Sequence, residues 1–484
     1  MLNHGVIDQD SFDLIVVGGG PAGMSAAAQA ATLGLTVALI DERVTLGGQI
    51  YKQLGPGFHV KNEKLMGREY VAGRGMIGDI AKQNINVYLK TLAVSIEGSR
   101  IVIVPEGGKA QTLTGRRILL APGAHDRPVA FPGWTLPGVI TAGGAQTLVK
   151  TQRVVPGERI LFAGSGPLAL AFPAQLKKYG ANIVMALEAG RAPGIAVIVR
   201  LIFASPRNGR LLLDALKYRW FLVAHRVPIQ YKRIILEVGG QGRVEYAIHA
   251  KVDRDWRPIP GTEERIEVDT VCIGYGFFPS VELFRLAGCQ LGYDENLGGP
   301  TVVTDSWGRT SNNEIFAAGD GTGVEGVYVA VARGRIAALK IAEDLDCISG
   351  KQADRMSKSS FRQIAAKRRF QRVLARMFAV GVGIYQLADK ETTICRCENV
   401  RKGRIDEVIS TTSDLSVIKA FTRAGMGLCQ GRNCQRQIAA LISNAHSMDI
   451  SDVPVATPRF PVKPVPLGAI ADEGIQDEKY FIDA

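Results

Sequence analysis

Four cysteines near the C-terminal end carry the residue types and spacing most able to do chemistry. Cys395 and Cys397 lie in ICRCENV, and Cys429 and Cys434 lie in GMGLCQGRNC. The pattern is C-x-C, 31 intervening residues (398–428), then C-x4-C. Two close pairs of thiolates can hold a metal centre, and the choice lies mainly between zinc and iron–sulfur. Structural zinc usually takes C-x2-4-C pairs, because a tetrahedral ion needs a knuckle of that reach. C-x-C is short for that, and no histidine lies between the pairs. A flat Fe2S2 rhomb takes two thiolates on each iron, which suits two unequal pairs. The spacing therefore favours [2Fe-2S], with zinc and four unrelated buried thiols as the alternatives.

The rest of the chain must position such a centre. Its 484 residues suffice for two or three domains with real cores. The composition, 46% hydrophobic and 21% charged, is that of an ordinary globular protein. A net charge of +12 raises the question of nucleic acid. Much of the excess sits in SKSSFRQIAAKRRFQRVLARMF (357–378), which carries no recognisable nucleic-acid motif. Its apolar residues, among them Phe361, Ile364, Phe370, Leu374 and Met377, recur near helical spacing. An amphipathic helix with a basic face, solvated or docked on a partner, is expected there, and no nucleic acid. Seven cysteines are an odd count, against a disulfide framework and in keeping with a reducing compartment. The polar opening MLNHGVIDQD is not a signal peptide, and no run reaches 18 apolar residues, so a cytoplasmic location is expected.

FDLIVVGGGPAGMSAAAQAATLGLTVALIDE (12–42) has every part of a βαβ nucleotide-binding unit. A continuous apolar strand, Phe12 to Val17, runs into Gly18-x-Gly20-x-x-Gly23. Gly18 permits the tight turn, Gly20 lets a pyrophosphate approach the backbone, and Gly23 lets the helix pack on the strand. The helix Pro21 to Thr32, beginning Pro21-Ala22, would present its N-terminus to the phosphates. The second strand, Thr36 to Ile40, ends at Asp41-Glu42, where a carboxylate takes a ribose diol. A lone GxGxxG is weak evidence; strand, glycines, helix, strand and acid together are strong.

The unit repeats in ERILFAGSGPLALAFPAQLKKYGANIVMALEAG (158–190). There Gly164-x-Gly166-x-x-Ala169 opens a helix and Glu188 ends the second strand. Glu188 suits the ribose of NAD, and no arginine directly follows to take a 2′-phosphate. A Rossmann unit can also persist with another ligand or none. Pro173 is expected to kink or end this helix early. The aromatic pair Trp220-Phe221 reads as core.

Two later segments resemble those of two-dinucleotide-binding flavoproteins. ILLAPGAHDRP (118–128), with Ala121 and Gly123, is similar to their ATG-type crossing. TSNNEIFAAGDGTG (310–323), with Gly319 and Asp320, is similar to their distal FAD motif. A strand Ile315 to Ala318 and a helix from about Val327 to Leu345 are expected around it. His125, just after the crossing, reads first as a loop histidine with a structural hydrogen bond. Where dithiol reductases of that superfamily carry a redox C-x4-C, this chain reads LGGQIYKQ (46–53), with Gly48 and Gln49 and no thiol. It has no C-x-x-C anywhere, so it is not a dithiol reductase.

Taken in order, the segments resemble the A (α) subunits of bacterial heteromeric opine and amino-acid oxidoreductases. That family includes the α subunits of octopine and nopaline oxidase, D-hydroxyproline dehydrogenase, and the middle subunit of hydrogen cyanide synthase. The phrases IDERVTLGGQIYKQ, PGWTLPGVITAGGAQ, AGSGPL and ICRCENV…TRAGMGLCQGRNC carry the resemblance, which spans about residues 12–445. It implies an α/β fold: a two-dinucleotide-binding-domain flavoprotein with a small α-rich C-terminal [2Fe-2S] module. FAD-binding segments are expected at 1–155 and 281–348, an inserted second dinucleotide domain at 156–280, and a basic helical linker at 349–390. The cluster module would follow at 391–446 and a Pro-rich tail at 447–484, an extended arm expected on a partner. The module resembles bacterioferritin-associated ferredoxin, which assigns Cys395, Cys397, Cys429 and Cys434 as iron ligands. Gly425, Gly427 and Gly431 would let backbone amides close on the sulfides. The implied cofactors are FAD and [2Fe-2S], with NAD or another nucleotide in the second domain and FMN at a subunit interface left open. The implied partners are a D-amino-acid-oxidase-like flavoprotein β subunit, a small ferredoxin-like γ subunit, and a respiratory acceptor reached from the inner-membrane face.

Overall fold

The computed structural model describes residues 11–203 and 209–471. Its centre is a seven-stranded sheet. Ser11–Val17 lies between Val37–Ile40 and Gln111–Leu120, parallel to both, with Ile85–Tyr88 beyond Val37–Ile40. Ile315–Ala317 returns from far along the chain to pair in parallel with Gln111–Leu120, Ile315 opposite Ile118. A hairpin, Thr91–Glu97 and Arg100–Pro105, extends the sheet antiparallel. Leu14, Ile15 and Val16 are fully buried, as a strand covered on both faces must be.

The helix Pro21–Thr32 follows the first glycines, with proline at its start. It packs against Val327–Asp344 at a point where both backbones must come close. A methyl group on Gly334 would lie 2.2 Å from the Ala22 carbonyl oxygen, and the Ser25 hydroxyl donates to the Val331 carbonyl. This crossing brings the distal motif up to the first glycine turn.

A second parallel sheet orders Ile229–Tyr231, Ile183–Glu188, Ile160–Gly164, Thr270–Gly274 and Val139–Thr141. The last of these strands comes from before residue 156, so the second unit recruits chain ahead of its glycine motif. The helix Leu168–Lys178 does not stop at Pro173; it runs through, with Phe172, Pro173 and Ala174 all buried. Apolar packing on the sheet compensates for the missing N–H. Two further helices, Ile195–Phe203 and Gly209–Ala224, follow. Trp220 does not join the core: it is 73% exposed, whereas Phe221 packs partly buried against it.

The basic segment is the helix Gly350–Met377, opened by a capping box between Ser349 and Gln352. Ile364 packs with Val329, Ala332 and Ile336 of the preceding helix. Buried Glu325 holds both Arg333 and Arg368, each at 2.6 Å. The helix is thus fixed to the first domain, and its end delivers the chain to the cluster module. That module is built of Lys402–Ile409, Leu415–Thr422 and Gln435–His446, behind a short strand pair, Thr393–Cys395 and Val400–Arg401. The tail, expected on a partner, lies instead on the first domain as far as residue 471. Val462 donates to Val94, Ala110 donates to Ala469, and the Lys463 ammonium pairs with Glu42. Val462, Val465 and Ala469 fill small apolar gaps there, which a solvated arm would leave open. None of the helices among the described residues is long and apolar enough to cross a membrane.

Candidate functional site

Three elements converge on the first glycine turn. Gly18 takes φ +107°, and a methyl group there would strike the Ala121 carbonyl oxygen at 2.1 Å. At Gly23 a methyl would lie 1.8 Å from the Gly18 oxygen. At Gly20 the nearest atom to such a methyl is the Gly48 Cα, 3.9 Å away. The turn is therefore sterically closed behind and open in front, the cradle a pyrophosphate needs. Gly48, at φ +60°, lies against Gly20, while Gly319, at φ +75°, sits over the Ala22 side chain.

The polar groups around the cradle divide into satisfied and unsatisfied. Asp41 is buried; its carboxylate accepts from Gly19 N–H at 2.6 Å and from Arg43 N–H at 2.7 Å. It braces the turn, and burial raises its pKa. Glu42 is more exposed, and its carboxylate is held below the usual range, against the pull of burial, chiefly by Lys463. Gln49 accepts from the Lys52 ammonium at 2.5 Å. The Asp320 carboxyl has no hydrogen-bond partner among the described residues and is raised to about 6 by burial, then by Glu325. On the crossing segment, His125 Nδ1 and Arg127 Nε are buried without partners. A cradle that extra atoms would fill, together with the unpartnered Asp320 carboxyl next to Gly319, fits a dinucleotide such as FAD.

The four cysteines gather although 31 residues separate the pairs. Sulfur neighbours cross between the two motifs: Cys395 meets Cys434, and Cys397 meets Cys429. Cys395 and Cys434 are buried, Cys429 is half-buried and Cys397 is exposed. The Cys395 thiol is drawn down to about 6, first by Cys434 and then by backbone N–H groups that include Gly425. The N–H groups of Asn433 and Gly431 point at Cys429. Gly425 and Gly431 reach these positions at φ +89° and +83°, where side chains are strained. Gly427 has no room for a methyl, which would lie 2.3 Å from Cys397 Cβ. Four thiols with amide donors trained on them form a donor set suited to an iron–sulfur cluster. Trp134 braces the set from outside by donating its indole N–H to the Thr393 carbonyl at 2.6 Å, and the Arg396 guanidinium lies over its ring.

The cradle and the thiol set are joined. Strand Ala124–Asp126 pairs antiparallel with Phe277–Pro279 immediately after the crossing. From it, His125 Nε2 meets the Arg432 carbonyl at 3.2 Å, inside the loop between Cys429 and Cys434. Next to it, buried Arg127 donates to Glu295 at 2.9 Å and to the Tyr385 hydroxyl. Glu295 also takes Arg436, two residues past Cys434, at 2.5 Å. Buried hydrogen-bonded networks of this kind rigidify an interface. His125 does make a structural hydrogen bond, and its partner is the cluster loop. The Arg127–Glu295–Arg436 joint was missed in the sequence, because its three members lie far apart in the chain with no motif among them.

The second glycine turn is built like the first but finished differently. Glu188 is 3% exposed and accepts from the Ser165 hydroxyl at 2.8 Å and from the N–H groups of Gly166 and Gly190 at 3.0 and 2.8 Å. Burial lifts it to about 7. In front of the turn stands Phe378, the residue that ends the basic helix. A methyl on Gly166 would lie 3.8 Å from its ring and one on Gly190 3.6 Å. The Phe378 side chain thus lies within van der Waals reach of a group added at Gly166.

The pyridine nucleotide-disulphide oxidoreductase model matches residues 12–334, and the BFD-like [2Fe-2S] binding domain model matches residues 393–444. The chain belongs to the pyridine nucleotide-disulphide oxidoreductase family. As a member it is a flavin-dependent oxidoreductase, with a [2Fe-2S] module appended, and the cradle described is where its residues would hold FAD. It is 32% identical to "Hydrogen cyanide synthase subunit HcnB" of Pseudomonas aeruginosa, over 96% of this chain and 99% of that protein. It is 31% identical to the A subunit of opine oxidase from Agrobacterium tumefaciens, over 96% and 92%. The crystal structure of L-proline dehydrogenase from P. horikoshii shares the fold, with a TM-score of 0.68 and 22% identity over 96% of this chain and 80% of that one. Unlike the family's dithiol enzymes, this member presents Gln49 and Lys52 after the first glycines; its remaining thiols, Cys272, Cys289 and Cys347, lie elsewhere.

The chain's own residues position these groups. FAD exchanges electrons in pairs or singly, and [2Fe-2S] singly, so the two together convert between the modes. The Gly20 face and the N-terminus of the helix Pro21–Thr32 would receive the phosphates, and Asp320 would face the cofactor at the distal motif. The segment 124–127 holds the cradle and the cluster loop at a fixed separation.

Proposed function

We propose that this chain is the electron-transferring subunit of a heteromeric oxidase or dehydrogenase acting on the C–N bond of an opine or amino acid. A partner flavoprotein resembling D-amino-acid oxidases removes two electrons and two protons from the C–N–H unit. One water then hydrolyses the imine. The present chain takes the two electrons at its FAD and passes them singly through the cluster to a respiratory acceptor. The observation that carries this reading is the contact from His125 to the Arg432 carbonyl, which ties the flavin crossing to the cluster loop. The relatives' names, each that of a subunit, support a partner.

A place for that partner is the pair of helices after the second nucleotide unit. Leu213, Leu216, Trp220 and Val223 form an exposed stripe along Gly209–Ala224, and Ile195 and Phe203 are 82% and 81% exposed on the helix before it. Exposed apolar surface of this extent marks an interaction site. The partner we assign to it is the oxidase-like subunit.

Hydroxyproline, proline or glycine oxidation would use the same relay with a different partner. A stand-alone NAD(P)H-dependent reductase is the competing class, and Phe378 over the second turn speaks against it. The test is co-expression with the neighbouring genes, followed by anaerobic mixing with octopine, nopaline, D-hydroxyproline, proline, glycine or NADH. Flavin bleaching by one of the amines, in the complex alone, is expected. Bleaching of the isolated chain by NADH would overturn the proposal. Leu216→Asp with Trp220→Asp is expected to abolish co-purification without loss of flavin.

A further inference from the structure

A cavity of about 730 Å3 opens between Arg68–Ala81, Ala142–Thr151, Leu168–Lys178 and Gly209–Ala224, on the outer side of the loop that carries Gln49. None of the glycines of either nucleotide turn lines it. Its walls are strongly one-signed. Lys52, Lys61, Lys150, Arg153 and Lys178 face it, and none forms a salt bridge with a carboxylate among the described residues, although Lys52 feels Asp126 and Lys150 feels Glu69 at longer range. Two acids lie on the wall, Glu69 and Asp214, and both are held by Arg68, at 3.4 and 3.2 Å.

The lysines at the bottom are the informative ones. Lys52 is 5% exposed, and its ammonium donates to Gln49 Oε1 at 2.5 Å and to the Thr147 hydroxyl at 2.8 Å, both neutral. Lys150, one turn beyond Thr147, is half-buried and makes no hydrogen bond or ion pair among the described residues. The two lysines lie close enough to repel each other. Arg153 finds a thioether, Met66 at 3.6 Å, and the Tyr179 ring. Lys178 lies over the rings of Tyr218 and Phe221. Buried cations are costly unless paired. One buried lysine and one half-buried one are turned into the same cavity beside exposed Arg153 and Lys178, and both wall acids are already held by Arg68, so the cavity has cationic groups to offer a ligand's counter-charge.

We infer that this cavity binds a small organic anion, through its carboxylate or phosphate group, at Lys52, Lys150 and Arg153. The volume is in the range of metabolite-sized sites and exceeds what a bare inorganic ion fills. Tyr70, Tyr179 and Tyr218 supply flat apolar wall for the body of the ligand. Through Lys52 and Gln49 the anion sits one side chain away from the nucleotide cradle. Such binding requires neither the partner nor the amine substrate.

The test is calorimetric titration of the full chain, carrying its cofactors, with phenyl phosphate, benzoate and benzyl alcohol. One of the two anions is expected to bind saturably at a single site, and the one that does identifies the group recognised. Benzyl alcohol, which has the ring without the charge, is expected not to bind. Lys150→Met keeps the length of the side chain and removes the charge; it is expected to weaken binding about tenfold or more while leaving visible flavin absorbance unchanged. Arg153→Gln, on an open part of the wall, supplies a second variant with the same expectation if the first is poorly folded. Failure of both anions to bind, equal binding of the alcohol, or undiminished binding in the variants would overturn the inference.

Discussion

The two glycine turns were cut to one pattern, yet they are finished by different neighbours. Both follow a buried parallel strand, both open a helix, and in both an acid at the end of the next strand reaches back to the turn: Asp41 to Gly19, Glu188 to Gly166. In the first turn nothing but the Gly48 Cα stands within 4 Å of a methyl placed on Gly20. In the second, Phe378 stands over Gly166 and Gly190. Strand, glycines and acid make the turn, and a residue brought in from elsewhere finishes it. A Rossmann motif is evidence for a fold element first and for a nucleotide second.

The sharpest way to break the comparison is to add the same atom to both turns. Gly23→Ala puts a methyl 1.8 Å from the Gly18 oxygen, a backbone atom that cannot swing aside, with the Val16 Cγ1 methyl also close at 3.2 Å. Overpacking there should cost at least about 3 kcal/mol and leave the protein without flavin, read as the ratio of visible to protein absorbance. Gly166→Ala meets just the edge of Phe378, and its left-handed φ of +88° adds strain of about 1 kcal/mol. Full flavin content is expected in that variant. Equal loss in both would mean that the two turns carry equal roles.

A smaller effect separates the acids by pH. Glu188 titrates near 7 in the folded chain against an ordinary 4.5, because burial penalises its charged form. Between those values the native state holds a proton that the unfolded state has released. Stability therefore falls as pH rises through 4.5 to 7 and is level above that window. Glu188→Gln removes this titration, so its unfolding free energy, read from denaturation, should gain on wild type from pH 5 to pH 8, on the order of 1 to 3 kcal/mol at the upper end. A constant offset across the range would show that Glu188 is not buried as described.

The smallest expected effect comes from uncapping the second turn. Phe378 is part-exposed, so Phe378→Ala should cost about 1 to 2 kcal/mol in thermal unfolding, below the range for a fully buried ring. Wild type is expected to show no NADH binding by fluorescence titration. Gain of binding in Phe378→Ala would sharpen the comparison to a single side chain, whereas tight NADH binding by wild type would end it.

These contrasts also mark what the sequence made legible. The first turn could be read because each glycine answers a steric demand within a few residues of itself, as at Gly18 and Gly23. The basic helix could be read from the spacing of Ile364, Phe370 and Leu374. The thiol set followed from its two short motifs, and Gly425 and Gly431 were recognisable beside it. Phe378 was not legible as a cap: it is one more apolar residue at the end of an amphipathic run, and its target lies about two hundred residues upstream. The same holds for Arg127, Glu295 and Arg436, which three separate segments bring together, and for Trp134, whose indole braces a strand beyond residue 390. Trp220 was misread for a related reason. Aromatic residues are usually core, and one on a helix left without a covering element is not. Pro173 does not end its helix, because packing on a sheet outweighed that part of a local rule. The tail was read as an arm, but its apolar residues met gaps in the chain's own first domain.

The central claim, that FAD and a [2Fe-2S] cluster lie in one rigid relay, is tested most directly by EPR of the anaerobically reduced chain beside Cys434→Ser and His125→Ala. A rhombic signal of a reduced [2Fe-2S] cluster is expected in the wild-type chain. Cys434→Ser should lose it while keeping flavin, and His125→Ala should keep both but pass electrons from flavin to cluster more slowly. Zinc in place of iron, or no cluster signal from a fully flavin-loaded chain, would contradict it.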